Sequence, residues 1–253
     1  MKRNPTITTD SGRYFLTDLI RDEVNFYLTE QSQGVAPPPV QKPAQPHSTL
    51  LELPRRDTWN IPSCDLQEAM ANRKSHRRFI QEPLSLDELA FLLWATQGVR
   101  TVLHEAAVLR TVPSAGCRHP FETYLAVLNV TGVENGIYRY LPIDHALVLE
   151  KQVTNFPSHL TAATRGQSFS GQAAVTFIWS VIPVRTEWRY AEASYKVIAL
   201  DAGHVCQNLY LACEAIGAGT CAIAAYDQVF VDELIGVDGR DEFAVYIAPV
   251  GKV

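Results

Sequence analysis

The sequence predicts an α+β protein with a central, mostly antiparallel sheet flanked by helices. Three observations carry this. Short runs rich in β-branched and aromatic residues recur at 121–130 (FETYLAVLNV), 136–142 (GIYRYLP), 173–182 (AAVTFIWSVI) and 242–251 (EFAVYIAPVG). Helical patterns fall between them without regular alternation, which argues against a parallel βαβ build. At 253 residues, 47% hydrophobic and 19% charged, the chain is long enough to bury a core without disulfide or metal staples.

Taken in order, residues 14–30 place Phe15, Leu16, Leu19, Ile20, Val24, Tyr27 and Leu28 mostly on one helical stripe. Five of the fifteen prolines then fall between Pro37 and Pro46, a composition that favours extended, polyproline-like chain. Residues 1–58 therefore read as a helical arm and Pro-rich linker that embraces the body or a second subunit, and 59–253 as the body. Ser63 can cap a helix running to about Lys74. Ser85 and Glu88 form an S-x-x-E capping box for LDELAFLLWATQ, with Gly98 as its stop. That helix is apolar almost all round and should be buried. Asn135-Gly136 is a hairpin signal between the first two strands. From Asp201 the residues Ala202, Val205, Leu209, Ala212, Cys213 and Ile216 keep helical spacing until Gly217.

Composition excludes several classes. The formal net charge of −5 speaks against a broad nucleic-acid-binding face. No apolar run reaches the length of a membrane span, and the N-terminus lacks the apolar core of a secretory signal. The five cysteines include no CxxC pair and read as buried or free thiols in a reducing, cytoplasmic setting.

Against that acidic background, NRKSHRRF (72–79) gathers Arg73, Lys74, His76, Arg77 and Arg78 around Ser75. The negative end of a helix dipole accounts for one or two cations, but five repel one another. A phosphate supplies the missing counter-charge, with Arg giving bidentate hydrogen bonds and Ser a neutral donor. The second candidate is PSAGCRHP (113–120), where Pro113, Ser114, Ala115 and Gly116 form a tight turn that lets backbone approach a flat ligand, or serves as a turn alone. Cys117 and His119 could suggest a metal or a nucleophile pair, but two ligands one residue apart are a weak signal. The third, GAGTCAIAAYD (217–227), spells G-x-G-x-x-A but follows a helix where a dinucleotide fingerprint must follow a strand, so that reading is rejected. Its small residues, Ala224 and Ala225 among them, leave backbone amides accessible. Gly251-Lys252 adds a cation at the chain's end.

These motifs, in this order, resemble the nitroreductase family of FMN oxidoreductases over roughly residues 66–252, and more narrowly its SagB-type dehydrogenase branch. The marks are Arg73-x-Ser75-x-Arg77 followed by Phe79, the PSAG turn with Arg118, His119 and Pro120, DAGHVCQNLYLACEAIG (201–217), and the small-residue loop ending in Tyr226-Asp227. The resemblance implies a nitroreductase-like fold in an interlocked homodimer with FMN at the subunit interface. It implies that Arg73, Lys74, Ser75 and Arg77 bind the phosphate, ribityl chain and ring edge. Pro113, Ser114, Ala115 and Gly116 would line the isoalloxazine, Ala224 and Ala225 would offer amides near its N5, and Gly251 and Lys252 would approach the phosphate. Where azoline-oxidising members of the branch carry a Lys-Tyr pair for proton transfer, this chain has Arg189-Tyr190. Arg is a poor base, which leaves Tyr190 to exchange a proton. The expected function is electron transfer through flavin to or from a small organic or peptide-heterocycle substrate. The alternatives are an NAD(P)H-dependent nitro or quinone reductase, a flavin-binding scaffold without turnover, and, more weakly, a metal hydrolase using Cys117 and His119.

Overall fold

The structure is a computed structural model and describes residues 8–104 and 106–253; residues 1–7 of the expected arm lie outside it. In chain order the elements are α1 (Thr9–Leu16), α2 (Ile20–Glu23), β1 (Leu50–Glu52), α3 (Leu66–Asn72), α4 (Leu86–Gln97), β2 (Val99–His104), β3 (Ala107–Arg110), β4 (Phe121–Val127), β5 (Gly136–Leu141), β6 (Ala146–Lys151), α5 (Phe156–Ala163), β7 (Val175–Val181), α6 (Val184–Tyr190), α7 (Ser194–Ala215), β8 (Ala218–Thr220), α8 (Gln228–Ile235) and β9 (Phe243–Lys252). Seven strands form the main sheet in the order β1-β6-β5-β4-β7-β9-β8, and every pairing in it is antiparallel. The expected α+β architecture is thus the observed one. β2 and β3 make a separate two-stranded hairpin.

The four strands read from the sequence are β4, β5, β7 and β9. β4 and β7 are buried at every position because helices cover both sheet faces. Alternation along each strand divides the core. Leu125, Val127, Phe177 and Trp179 meet α4 and α7 through Leu89, Leu93, Val205 and Leu209. Tyr124, Ala126 and Ile178 meet α5 and α8 through Leu160, Val231 and Leu234. Each fully buried Leu or Phe here contributes roughly 1.5–3 kcal/mol relative to exposure.

Helix ends differ from expectation in two places. α3 is capped by Asp65, not Ser63: the Asp65 carboxylate accepts from the amides of Gln67 (2.8 Å) and Glu68 (3.1 Å), and the helix stops at Asn72 with Arg73 as its extended C-cap. The stripe at 14–30 is not one helix. Thr17 turns its hydroxyl back onto the Tyr14 carbonyl (2.8 Å) and adopts extended backbone, and Asn25 caps a short turn at Phe26–Leu28. Such local hydrogen bonds compete with helix propagation. The capping box on α4 forms as read, with Ser85 and Glu88 each bonding the other's amide.

The Pro-rich linker is extended and lies on the chain's own body. Gln31 donates its amide to the Trp188 carbonyl (2.9 Å), and the Trp188 indole donates to the Val35 carbonyl (2.8 Å). Arg110 donates to the carbonyl of Val40, which is only 3% exposed. Arg139 donates to the carbonyls of Lys42 (2.7 Å) and Pro43 (3.0 Å). Lys42 gives its amide to Glu122 (2.9 Å) and its ammonium to Glu242 (2.5 Å). The linker carbonyls thereby satisfy buried guanidinium groups that would otherwise be costly to desolvate.

Candidate functional site

The chain leaves α3 at Arg73 and runs extended beside β8. Ser75 forms a parallel bridge with Thr220, and the His76 amide donates to the Thr220 carbonyl (2.9 Å). Gly219 is required at this crossing, because a Cβ there would sit 2.5 Å from the His76 ring. The backbone is pinned while Lys74, Ser75, Arg77 and Arg78 stay exposed and Arg73 half-buried. Burial, then the neighbouring Lys74, lowers the pKa of His76, which keeps it from adding charge. Among the described residues, Arg73, Lys74, Arg77 and Arg78 have no carboxylate in ion-pair range. The cluster therefore presents uncompensated positive charge, which suits a phosphate.

Tyr210 of α7 organises this segment, and sequence reading missed it. Its ring lies under the Arg73 guanidinium (5.2 Å to the centroid). Its hydroxyl shares a hydrogen bond with Ser75 Oγ (3.1 Å) and accepts the Ala222 amide (2.9 Å). The basic segment and the small-residue loop are thus tied to one phenol. Further along that loop Ala224 and Ala225 are exposed, and their amides have no acceptor among the described residues. The loop's carbonyl side is held instead, by Gln167 on Ala225 (3.1 Å) and Arg165 on Tyr226 (2.9 Å). Beside Ala224 opens an apolar cavity of about 450 Å³, walled by Tyr195, Ile198, Ala199, Gly203 and Tyr246.

Lys252 is placed differently from expectation. Its ammonium is taken by Glu88 (2.5 Å) and the Ile216 carbonyl (2.6 Å), so its charge is committed inside the fold. Gly251 lets Phe79 pack against β9, where a Cβ would meet the ring at 2.8 Å. The pair braces the basic segment from behind, with the Ile80 amide donating to the Lys252 carbonyl (3.0 Å).

The PSAG turn is built around Asp201. Ser114 Oγ donates to Asp201 Oδ2 (2.6 Å), the Ala115 amide donates to the same oxygen (3.1 Å), and Ser114 Oγ accepts the His119 amide (2.9 Å). Burial raises the pKa of Asp201, with the Ser114 and Ala115 hydrogen bonds opposing it. Gly116 has φ +57, and a Cβ on it would fall 2.7 Å from Arg189 Cδ and 2.8 Å from the Tyr190 hydroxyl. The turn, Asp201 and the Arg189-Tyr190 pair of α6 are therefore one packed unit. His119 is buried, and burial foremost, then Arg110, pushes its pKa down to about 3. Cys117 is half-buried, and no group of three or more His, Cys, Asp or Glu among the described residues could hold a metal ion.

These two units do not converge within one chain. Asp201 and Tyr210 both lie on α7, and nine residues place them about 13.5 Å apart along the axis and about half a turn apart around it. Between those edges α7 presents Leu200, Gly203, His204 and Gln207 to solvent. A larger cavity of about 620 Å³, walled by Trp59, Phe91, Trp94 and Leu211, lies between α3, α4 and α7 and contains none of the expected site residues.

Residues 70–252 match the model of the nitroreductase family. The nitroreductase-type protein MJ1384 of Methanocaldococcus jannaschii is 31% identical over 195 residues, covering 76% of this chain and 93% of that protein. The trifolitoxin-processing protein TfxB of Rhizobium leguminosarum bv. trifolii is 31% identical over 170 residues, 64% of this chain and 46% of its own length. A nitroreductase-type crystal structure from Ralstonia eutropha aligns with a TM-score of 0.67 at 26% identity, covering 86% of this chain and 98% of that one.

Proposed function

The chain belongs to the nitroreductase family and is an oxidoreductase; from that premise we propose that it is an FMN-dependent enzyme acting on a small organic or peptide-heterocycle substrate. The observation that carries the cofactor is the unit organised by Tyr210. Among the described residues, four cations without carboxylate partners lie on the segment that Arg73 and Ser75 tie to Tyr210, and two amides without acceptors lie on the loop that Ala222 ties to the same phenol. That donor set fits a flavin phosphate at one end and the N5 side of its ring at the other. Bound there, FMN supplies the redox chemistry by taking up and releasing electrons.

The chain's own residues divide the remaining work. Arg73, Lys74, Ser75 and Arg77 hold the phosphate and ribityl end, and Gly251 and Lys252 brace them from behind. The Ala224 and Ala225 amides orient the ring and favour negative charge on it, as preorganised donors do. Tyr190 exchanges a proton with the substrate. Pro113, Ser114, Ala115 and Gly116 cover the ring of a second copy, since their place on the far edge of α7 keeps them from their own. The exposed stripe of α7, flanked by Tyr195 (49% exposed) and Leu200 (55%), is the surface on which two copies would pair about a two-fold axis.

The test is the visible absorption spectrum of freshly purified protein before and after anaerobic NADPH. A flavin spectrum that bleaches supports an NADPH-reducible enzyme of the nitro or quinone reductase kind. One that persists until an oxidisable substrate is added supports a dehydrogenase, the direction that the resemblance to the SagB-type branch implies. Flavin that responds to no donor, acceptor or substrate would mean a carrier without turnover. No flavin even after FMN addition would overturn the proposal.

A further inference from the structure

The unit around Gly116 holds a cation that nothing in the fold uses. Among the described residues Arg189 forms no ion pair; its stem rests on Gly116 and its guanidinium lies over the ring of Tyr190 (5.6 Å). Behind it stand two more arginines. Arg118, buried, stacks on Trp188 (4.7 Å) and donates Nε to the Arg185 carbonyl (2.9 Å). One terminal nitrogen on each of Arg118 and Arg185 is buried without a partner.

Two of the acids nearby, Glu122 and Asp201, are already taken. Glu122 receives Arg185 (2.5 Å), Arg139 and the Lys42 amide. Neither Glu187 nor Glu192 comes within ion-pair distance of Arg189. Asp201 receives Ser114 and the Ala115 amide. Arg118 registers the resulting excess, since burial and then Arg189 and Arg185 all lower its pKa. Positive charge is thus concentrated beside the hydroxyl of Tyr190, at a half-buried position where an ion pair is less screened than at the surface.

We propose that Arg189 anchors a carboxylate on the substrate, so that the enzyme acts on small organic anions delivered to Tyr190. The planar fork of Arg matches a carboxylate in two parallel hydrogen bonds. This gives Arg at this position a purpose that a proton-transfer role does not, because a guanidinium holds its proton. The inference rests on the proposed reading that Tyr190, packed against the PSAG turn, faces the substrate. A phosphate on a reduced dinucleotide has related chemistry, and the test separates the two.

Isothermal titration of the purified protein, its flavin content fixed by the visible spectrum, is run with benzoate, benzamide and adenosine 2′,5′-bisphosphate. Wild-type protein is expected to bind benzoate about tenfold or more tighter than benzamide, the scale of a charge-assisted hydrogen bond. That ratio falls to near one in Arg189→Gln and takes an intermediate value in Arg189→Lys, which keeps the charge and loses the fork. Equal binding of benzoate and benzamide by flavin-loaded wild-type protein overturns the inference and leaves the flavin reading standing. Arg189-dependent binding of the bisphosphate without a benzoate preference also overturns it, assigning the cation to the electron donor. An Arg189-dependent benzoate preference in protein that takes up no flavin supports the anion anchor while removing the flavin reading.

Discussion

Tyr210 shows how one residue ties two motifs together. Its hydroxyl serves Ser75 and the Ala222 amide at once, so Tyr210→Phe leaves that amide without its acceptor. We expect FMN affinity to fall roughly tenfold, the scale of losing one or two hydrogen bonds, when measured by quenching of FMN fluorescence; unchanged affinity would mean the phenol organises nothing. Nothing in NLYLACEAIG marks Tyr210 as special, because an aromatic at helical spacing reads as core. The basic cluster was legible because its charge opposes that of the chain. His119 supplies a pH dependence. It is neutral in the folded state, with a pKa near 3, and titrates near 6.5 once unfolded. The unfolded state therefore binds the extra proton between those values. Its contribution to stability is complete above about pH 6.5 and is lost as pH falls toward 3, at up to about 1.4 kcal/mol per pH unit. Urea unfolding between pH 4 and 7 should show a shallower acid slope for His119→Gln than for wild type, and parallel slopes would refute the assignment.

At the level of elements, the linker and α6 depend on each other. A Pro-rich segment alone predicts extended chain, and that is observed. Its docking was not legible, because it rests on Arg110, Arg139 and Glu122, far away in sequence and conspicuous only once seen buried. Arg139 is 2% exposed and bonds Glu150 (2.7 Å) as well as two linker carbonyls. Arg139→Met takes one guanidinium partner from the buried Glu122 and leaves those carbonyls unpaired, and removing one partner of a buried pair typically costs about 3–5 kcal/mol. The expected result is a loss of that order in chemical unfolding, together with new protease cleavage near residues 40–45. A variant as stable as wild type with the linker still protected would show that the carbonyls find other donors. The central strands were readable because both faces are apolar. β6, β8 and the β2–β3 hairpin were not: β8 and β3 are short, the second half of β6 is exposed, and β2 is almost wholly exposed.

For the molecule as a whole, the proposed division of the site across α7 makes activity and association one question. Leu200→Glu places a charge at the edge of the exposed stripe, where it would oppose burial against a two-fold-related copy. Size-exclusion chromatography with light scattering should report a dimer for wild type and a monomer for the variant, with flavin lost alongside. A wild-type monomer that retains flavin would contradict the pairing. Sequence motifs named the candidate residues but could not show that the basic segment and the PSAG turn attach to opposite sides of α7, because their anchors, Tyr210 for one and Asp201 for the other, are seen only in the folded chain.

The same division has a genetic meaning. If each site borrows its turn from the other subunit, two dead alleles need not stay dead together. A protomer carrying Arg73→Ala lacks a phosphate grip and keeps a sound turn. One carrying Asp201→Ala has a sound grip and a turn that has lost its acceptor. In a mixed dimer one site collects both defects and the other collects neither. Random assortment makes about half the dimers mixed, so roughly a quarter of wild-type activity should return when the two alleles are co-expressed, from parents that are each inactive.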